Sequence, residues 1–169
     1  MTGEDSGQRQ QAEYQSGLPF NASGIDTLAV YCSDGRFGVQ VDDFLQSALR
    51  MPRCDRLVIP GGPGCLAGYF AAFHEEAAAK EQIKFLVRCH KLTRIVLIGH
   101  DDCGFYKHQL NLTDSDVSGR QSEDLVKVAH RLRLLVGEVR IEAFMARKRG
   151  DRVWFGQVDL TVRQGMRMW

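Results

Sequence analysis

Thr27-Leu28-Ala29-Val30-Tyr31-Cys32-Ser33-Asp34-Gly35-Arg36 is an apolar run that ends in a thiol, a carboxylate and a guanidinium. Further along, Arg94-Ile95-Val96-Leu97-Ile98-Gly99 leads straight into His100-Asp101-Asp102-Cys103-Gly104. Short apolar runs bounded by turn residues read as strands, here over 26–31 and 94–99. Each strand thus delivers potential metal ligands at its carboxyl end, where open α/β sheets carry their chemistry.

Outward from these strands, helices and strands alternate. Val39, Phe44, Leu45 and Leu49 recur at helical spacing and predict a helix over 38–50, with Pro52 just past its end. A second short strand is expected over 56–59, then a Pro- and Gly-rich loop over 60–64. An alanine-rich helix follows over 66–90. Residues 100–121 read as a polar loop with one helical turn after Cys103. Ser122 reads as the N-cap of a helix running to 149, with Glu123 and Asp124 in its first turn and Lys148 and Arg149 at its negative end. Gly150 would supply the left-handed cap, and alternation over 152–162 predicts a last strand. Residues 1–24 are polar and read as a mobile arm with a short helix around 10–15. Residues 25–169 then form one α/β domain, with a mainly parallel central sheet of four to five strands flanked by helices.

The chain has 169 residues, 44% hydrophobic and 25% charged, which suits one domain with one core. A net charge of +1 gives no electrostatic basis for nucleic-acid binding. No apolar run reaches the roughly 20 residues of a membrane span, and the first residues lack the basic and apolar parts of a signal peptide. The five cysteines fit free thiols or metal ligands in a cytoplasmic protein better than a disulfide framework. The sequons at Asn21 and Asn111 then read as chance matches.

Cys32, Asp34 and Arg36 are spaced by two, so an extended chain would point all three to one side. His100 and Cys103 are spaced by three, which suits one helical turn. Two cysteines and one histidine are a ligand set used at catalytic zinc, with a fourth position open to water. Two thiolates neutralise the ion, so bound water is acidified less than at a three-histidine site. Asp34 can compensate by accepting that water's hydrogen bond. The same carboxylate could instead become the fourth ligand and close the site, and the planar fork of Arg36 can hold it off the metal. Cys54, Cys65 and Cys89 lack the paired spacings of a purely structural site.

On Cys32-Ser33-Asp34-Gly35-Arg36 and His100-Asp101-Asp102-Cys103-Gly104 the chain resembles the β-class carbonic anhydrases, which carry Cys-x-Asp-x-Arg and His-x-x-Cys-Gly after two strands. The approach Leu92-Thr93-Arg94-Ile95-Val96-Leu97-Ile98-Gly99 and the segment Val153-Trp154-Phe155-Gly156-Gln157-Val158-Asp159-Leu160 extend the similarity over about 25–162. The resemblance implies a zinc enzyme, with Zn2+ on Cys32, His100 and Cys103, that hydrates CO2 reversibly to bicarbonate by zinc-bound hydroxide. Asp34 would orient that hydroxide and Arg36 would hold Asp34. It also implies a homodimer or higher homo-oligomer, with the site near the interface and the N-terminal arm on the partner. The family's serine between Asp and Arg is Gly35 here, its second glycine after the ligand cysteine is Phe105, and its Arg-Asn-Ala-Gly segment is replaced at 59–64. Two alternatives keep the zinc: a hydrolase of carbonyl sulfide or carbon disulfide, and a non-catalytic protein with a closed site.

Tyr106 and His108 are candidate proton shuttles between the site and solvent. Phe37 and Phe105 adjoin the motifs and are candidates to line an apolar pocket, with Gly61 and Gly62 letting backbone approach it. Gly62-Pro63-Gly64-Cys65-Leu66-Ala67 formally fits a dinucleotide fingerprint. Its proline, and the lack of an acidic residue at the next strand end, argue against that reading.

Overall fold

The computed structural model describes residues 13–161. Its five strands are β1 (Thr27–Cys32), β2 (Asp55–Ile59), β3 (Arg94–His100), β4 (Arg140–Arg149) and β5 (Arg152–Gln157). They form one sheet in the order β2-β1-β3-β4-β5. The first four are parallel and β5 is antiparallel to β4. The connecting helices are α1 (Gly35–Asp43), extended by a wide π turn over Phe44–Ala48, α2 (Phe73–His90) and α3 (Asp114–Val136). This is the expected α/β domain, with strand ends β1 and β3 side by side.

Alternation along the strands divides the core between two faces. Leu28, Val30, Leu97 and Met145 pack against α2 and α3 through Ile83, Leu125 and Leu132. Ala29, Tyr31, Val96 and Ile98 pack against α1 through Phe37, Val41 and Leu45. β1 and β3 therefore bury both faces, which is why they read as continuous apolar runs. Each fully buried leucine or isoleucine contributes about 1.5–3 kcal/mol, and together they fix where the two strands end.

The structure corrects several expected boundaries. α3 begins at Asp114, not Ser122: Thr113 is extended in front of it, and Asp114 and Asp116 occupy its first turn. Val117, Gln121, Leu125, Val128 and Leu132 form a buried stripe at helical spacing, and this burial outweighs the weak helix propensity of the segment around Gly119. The Ser122 hydroxyl donates to the Ser118 carbonyl instead of capping. α3 also ends at Val136, ahead of Gly137 at φ 78°, and residues 140–149 are strand rather than helix. Ile141, Ala143 and Met145 face one side of the sheet and Phe144 and Ala146 the other. Their Ala, Met and Glu composition favours a helix, and pairing with β3 and β5 overrides it. Lys148 and Arg149 thus belong to β4, and Gly150 turns the hairpin into β5.

Third, α2 starts at Phe73 rather than 66, after two short 3-10 turns at Gly62–Leu66 and Phe70–Ala72. The first of these replaces the open loop expected at 60–64. α1 starts at Gly35, three positions ahead of the expected start at 38. β5 stops at Gln157, and position 162 lies outside the described residues. Of the helix expected around 10–15, residues 10–12 lie outside them as well, and 13–15 are not helical. No helix among the described residues is long and apolar enough to cross a membrane.

Candidate metal centre

β1 and β3 are hydrogen-bonded neighbours, with Tyr31 opposite Ile98. Cys32 and His100, the terminal residues of the two strands, therefore emerge together. A turn through Asp101 and Asp102 then brings Cys103 back, 0% exposed, beneath them. The ligand atoms of Cys32, His100 and Cys103 all lie within 4.8 Å of one another, and the two sulfurs are 3.9 Å apart. Thiolates at ~2.3 Å from a tetrahedral ion stand about 3.8 Å apart, so the pair fits a metal without rearrangement.

The imidazole is prepared for the same role. His100 Nδ1 bonds the Asp101 carbonyl at 2.7 Å, which places the proton there and leaves Nε2 its lone pair. Among the described residues, Nε2 is the buried side-chain nitrogen or oxygen with no hydrogen-bond partner. Such an orphan is costly unless something binds it. The backbone of His100 is bracketed by Gln121, which accepts from its N–H at 3.1 Å and donates to its carbonyl at 2.7 Å. The Phe37 ring lies 4.5 Å from the imidazole, centroid to centroid.

The two thiols influence each other across 3.9 Å. The Cys103 S–H, with help from His100, draws Cys32 down toward the thiolate. Cys103 is pushed up by that same neighbour and by burial. Burial works to lower His100, but the neighbouring Cys32 sulfur outweighs it and raises the imidazole. A cation in place of these protons would make both sulfurs thiolates and leave the imidazole neutral.

The chain does not stay extended past Cys32. Asp34 is the N-cap of α1, and its carboxylate accepts from the Arg36 backbone N–H at 3.0 Å. It also accepts from Arg36 Nε at 2.9 Å and Nη2 at 2.6 Å. Capping, rather than strand alternation, brings the two side chains together. The guanidinium holds the Asp34 carboxyl at about 2, below its usual 3.8.

The remaining candidates spread out. Phe105 packs beside Cys32 and Cys103 and also lines a cavity of about 400 Å³ with Ile59, Pro60, Ala72 and Ala79. A Cβ on Gly61 would stand 2.5 Å from the Phe105 ring, and one on Gly62 2.6 Å from the Cys32 nitrogen. Both glycines are thus required where backbone meets the site. His108 is exposed. Tyr106 is buried, and its hydroxyl donates to Asp124 at 2.8 Å, beside that of Tyr69 at 2.7 Å. Gln121 and Asp124 are buried neighbours of the candidate site that sequence reasoning missed. Only their helical spacing with Val117, Leu125 and Val128 marks them as inward-facing.

A family model described as "Putative carbonic anhydrase" matches residues 23–148, well over half of the chain. The carbonic anhydrase from Streptococcus mutans superposes with a TM-score of 0.53 at 14% identity, covering 83% of this chain and 88% of that one. A point mutant of the β-carbonic anhydrase CafD from Aspergillus fumigatus gives a TM-score of 0.52 at 17% identity, covering 84% and 94%. No curated protein matches in sequence. At these identities the structures speak for the fold, and the family match speaks for descent: the chain belongs to the carbonic anhydrase family defined by that model and has the β-carbonic anhydrase fold.

Proposed function

We propose that the protein is a zinc carbonic anhydrase that interconverts CO2 and bicarbonate. The observation that carries this reading is the Cys32, His100 and Cys103 cluster beside the Asp34–Arg36 pair. Cys32, Cys103 and His100 Nε2 would hold zinc. When bound, the metal supplies the Lewis acidity that makes water a nucleophile near neutral pH. Asp34 accepts the nucleophile's hydrogen bond and so orients it, while Arg36 keeps the carboxylate ionised and directed. Phe37 and Phe105 exclude bulk water from the reacting face. The proton leaves through exposed His108, because the Tyr106 hydroxyl is committed to Asp124. Carbonyl sulfide or carbon disulfide is the second reading for the substrate. What favours it is that Phe105 and the Pro60–Gly64 segment, where the chain departs from the family pattern, meet beside the site at a cavity of about 400 Å³.

The test is zinc content followed by stopped-flow hydration over roughly pH 6.5–9, where a metal-activated water ionises. We expect one zinc per chain and CO2 hydration that rises with pH. Stoichiometric zinc without hydration at any pH rejects the CO2 assignment, and turnover of carbonyl sulfide or carbon disulfide alone transfers it to the second reading.

The same reading includes a homodimer in a reducing, cytoplasmic compartment, which suits the close free pair Cys32 and Cys103. β2 is an edge strand, and Phe70 (95% exposed) and Phe73 (63%) stand on the segment that follows it. Exposed large apolar groups and an open strand edge are each features of interfaces. Light scattering should give twice the 19.0 kDa chain mass, and a monomer at micromolar concentration would remove the dimer from the proposal.

A further inference from the structure

Arg36 is gripped from two sides. Asp34 takes its Nε and Nη2, while Asp102 takes Nη1 through its carboxylate at 3.0 Å and Nη2 through its carbonyl at 3.2 Å. Asp102 is in turn paired with Lys107, and Lys107 also reaches Asp114 at 2.7 Å, the first residue of α3. Charges alternate along Asp34, Arg36, Asp102, Lys107 and Asp114. Lys107 neutralises Asp102, so Asp102 can hold Arg36 without drawing its charge from Asp34.

The position of Asp102 is unusual in its backbone as well. It lies between His100 and Cys103 at φ 59°, a left-handed conformation that aspartate, asparagine and glycine tolerate better than other residues. That turn presents both its carbonyl and its carboxylate to Arg36. The Arg36 side chain is 60% exposed, so an unanchored guanidinium would spend much of its time in other rotamers.

We infer that Asp102 is a positioning residue: by anchoring Arg36 it sets how readily Asp34 leaves the guanidinium to become a fourth metal ligand. The inference rests on the proposed metal site. Asp34 can reach a metal only by giving up Arg36, and a pre-placed guanidinium is a stronger competitor than a mobile one. Asp102 therefore biases the site open.

The experiment uses the cobalt-loaded protein and imidazole as a neutral probe, which can take the fourth position only when Asp34 is off the metal. It is run at the pH where wild-type affinity, counted per neutral imidazole because the probe itself protonates at roughly pH 7, is half its maximum. Asp102→Asn keeps the left-handed turn and removes the charge. An exposed pair of this kind shifts an equilibrium about two- to fivefold, so the apparent imidazole affinity should fall about 1.5- to threefold. In an Asp34→Asn background, where nothing competes for the metal, the same substitution should leave affinity unchanged. In the metal-free protein, exchange of the Arg36 Nε–H proton, followed by NMR, should quicken about two- to fivefold in Asp102→Asn.

Equal affinities for wild type and Asp102→Asn, or the same fall in the Asp34→Asn background, overturn the inference. Should Asp102→Asn fail to load metal, Asp102→Gly, which also keeps the turn, is read in the same way. Failure of both would mean that Asp102 serves the turn and not Arg36, which overturns it too. Cobalt-loaded protein that does not hydrate CO2 would defeat the proposed activity while leaving the affinity comparison readable.

Discussion

The ligand loop is held differently on its two sides. On the inner side the fasteners are buried and lie in the interior: Gln121 brackets the backbone of His100, and Tyr69 and Tyr106 both donate to Asp124. On the outer side they are ions within reach of water, Arg36, Asp102 and Lys107. A buried group that loses its partner keeps its whole desolvation penalty, about 1–3 kcal/mol, whereas an exposed ion pair is worth about 0.2–1 kcal/mol. The same short loop therefore has one rigid edge and one adjustable edge. The candidate ligands His100 and Cys103 lie toward the first, and Asp34, the group that could move, is tied to the second.

The largest break in this contrast should come from Gln121→Leu. Leucine nearly matches the volume but leaves the N–H and carbonyl of His100 unpaired in a buried place. We expect a loss of about 2–5 kcal/mol in urea unfolding. Zinc affinity should fall about 10- to 100-fold, because the histidine loses its orientation. A loss below about 1 kcal/mol, the range of an exposed pair, would mean that the inner edge is no stiffer than the outer one.

The sequence displays these two edges unequally. Cys32, His100 and Cys103 are legible because buried parallel strands are continuous apolar runs, and the polar residues at their abrupt ends stand out. The pairing of Asp34 with Arg36 is legible too, although through the wrong geometry: an N-cap and the first turn of α1 bring them together, not an extended chain. The inner edge is hidden by the misplaced start of α3. With Ser122 as the cap, Gln121 falls in a loop and Asp124 becomes a first-turn acid facing water. Only tertiary burial of the stripe from Val117 to Leu132 reveals both as interior. β4 is hidden for the converse reason, since its residues have helical propensity and the sheet overrides it.

The next test compares the pH behaviour of one carboxylate from each edge. Burial raises Asp124 above its ordinary 3.8, against the lowering effect of its two phenol hydrogen bonds. A group whose folded pKa is raised stabilises the fold below the unfolded pKa, and that contribution is lost as pH rises through the folded value. Asp124→Asn cannot ionise. The stability of wild type relative to Asp124→Asn should therefore be greatest at or below about pH 4 and decline as pH rises. The substitution itself should cost about 1–2 kcal/mol on the acid side, where the asparagine oxygen can still accept both phenols but its amide brings an additional N–H into a buried place. A difference that grows with pH would show Asp124 to be a stabilised anion, and the inner edge would then be ionic after all.

Asp34 should give the opposite sign and the smallest effect. Arg36 lowers its carboxyl to about 2 from 3.8. Its contribution is therefore present above the unfolded value and is lost as pH falls through the range between the two. Asp34→Asn is the apt variant, because asparagine is as good an N-cap as aspartate and still accepts the Arg36 backbone N–H, so the cap stays while the charge and the acceptor for Arg36 Nη2 are removed. In the metal-free protein, wild type should exceed Asp34→Asn by less than about 1 kcal/mol near neutrality, since the guanidinium is mostly in water. The difference should shrink as pH falls below the unfolded value and vanish only below about pH 2, where the wild-type carboxyl is fully protonated. Raised salt should shrink it further, whereas the Asp124 difference, lying in the interior, should be nearly indifferent to salt. A salt-insensitive Asp34 difference of several kcal/mol would place its pair with Arg36 on the rigid edge, and a carboxylate held that firmly could not serve as an exchangeable fourth ligand.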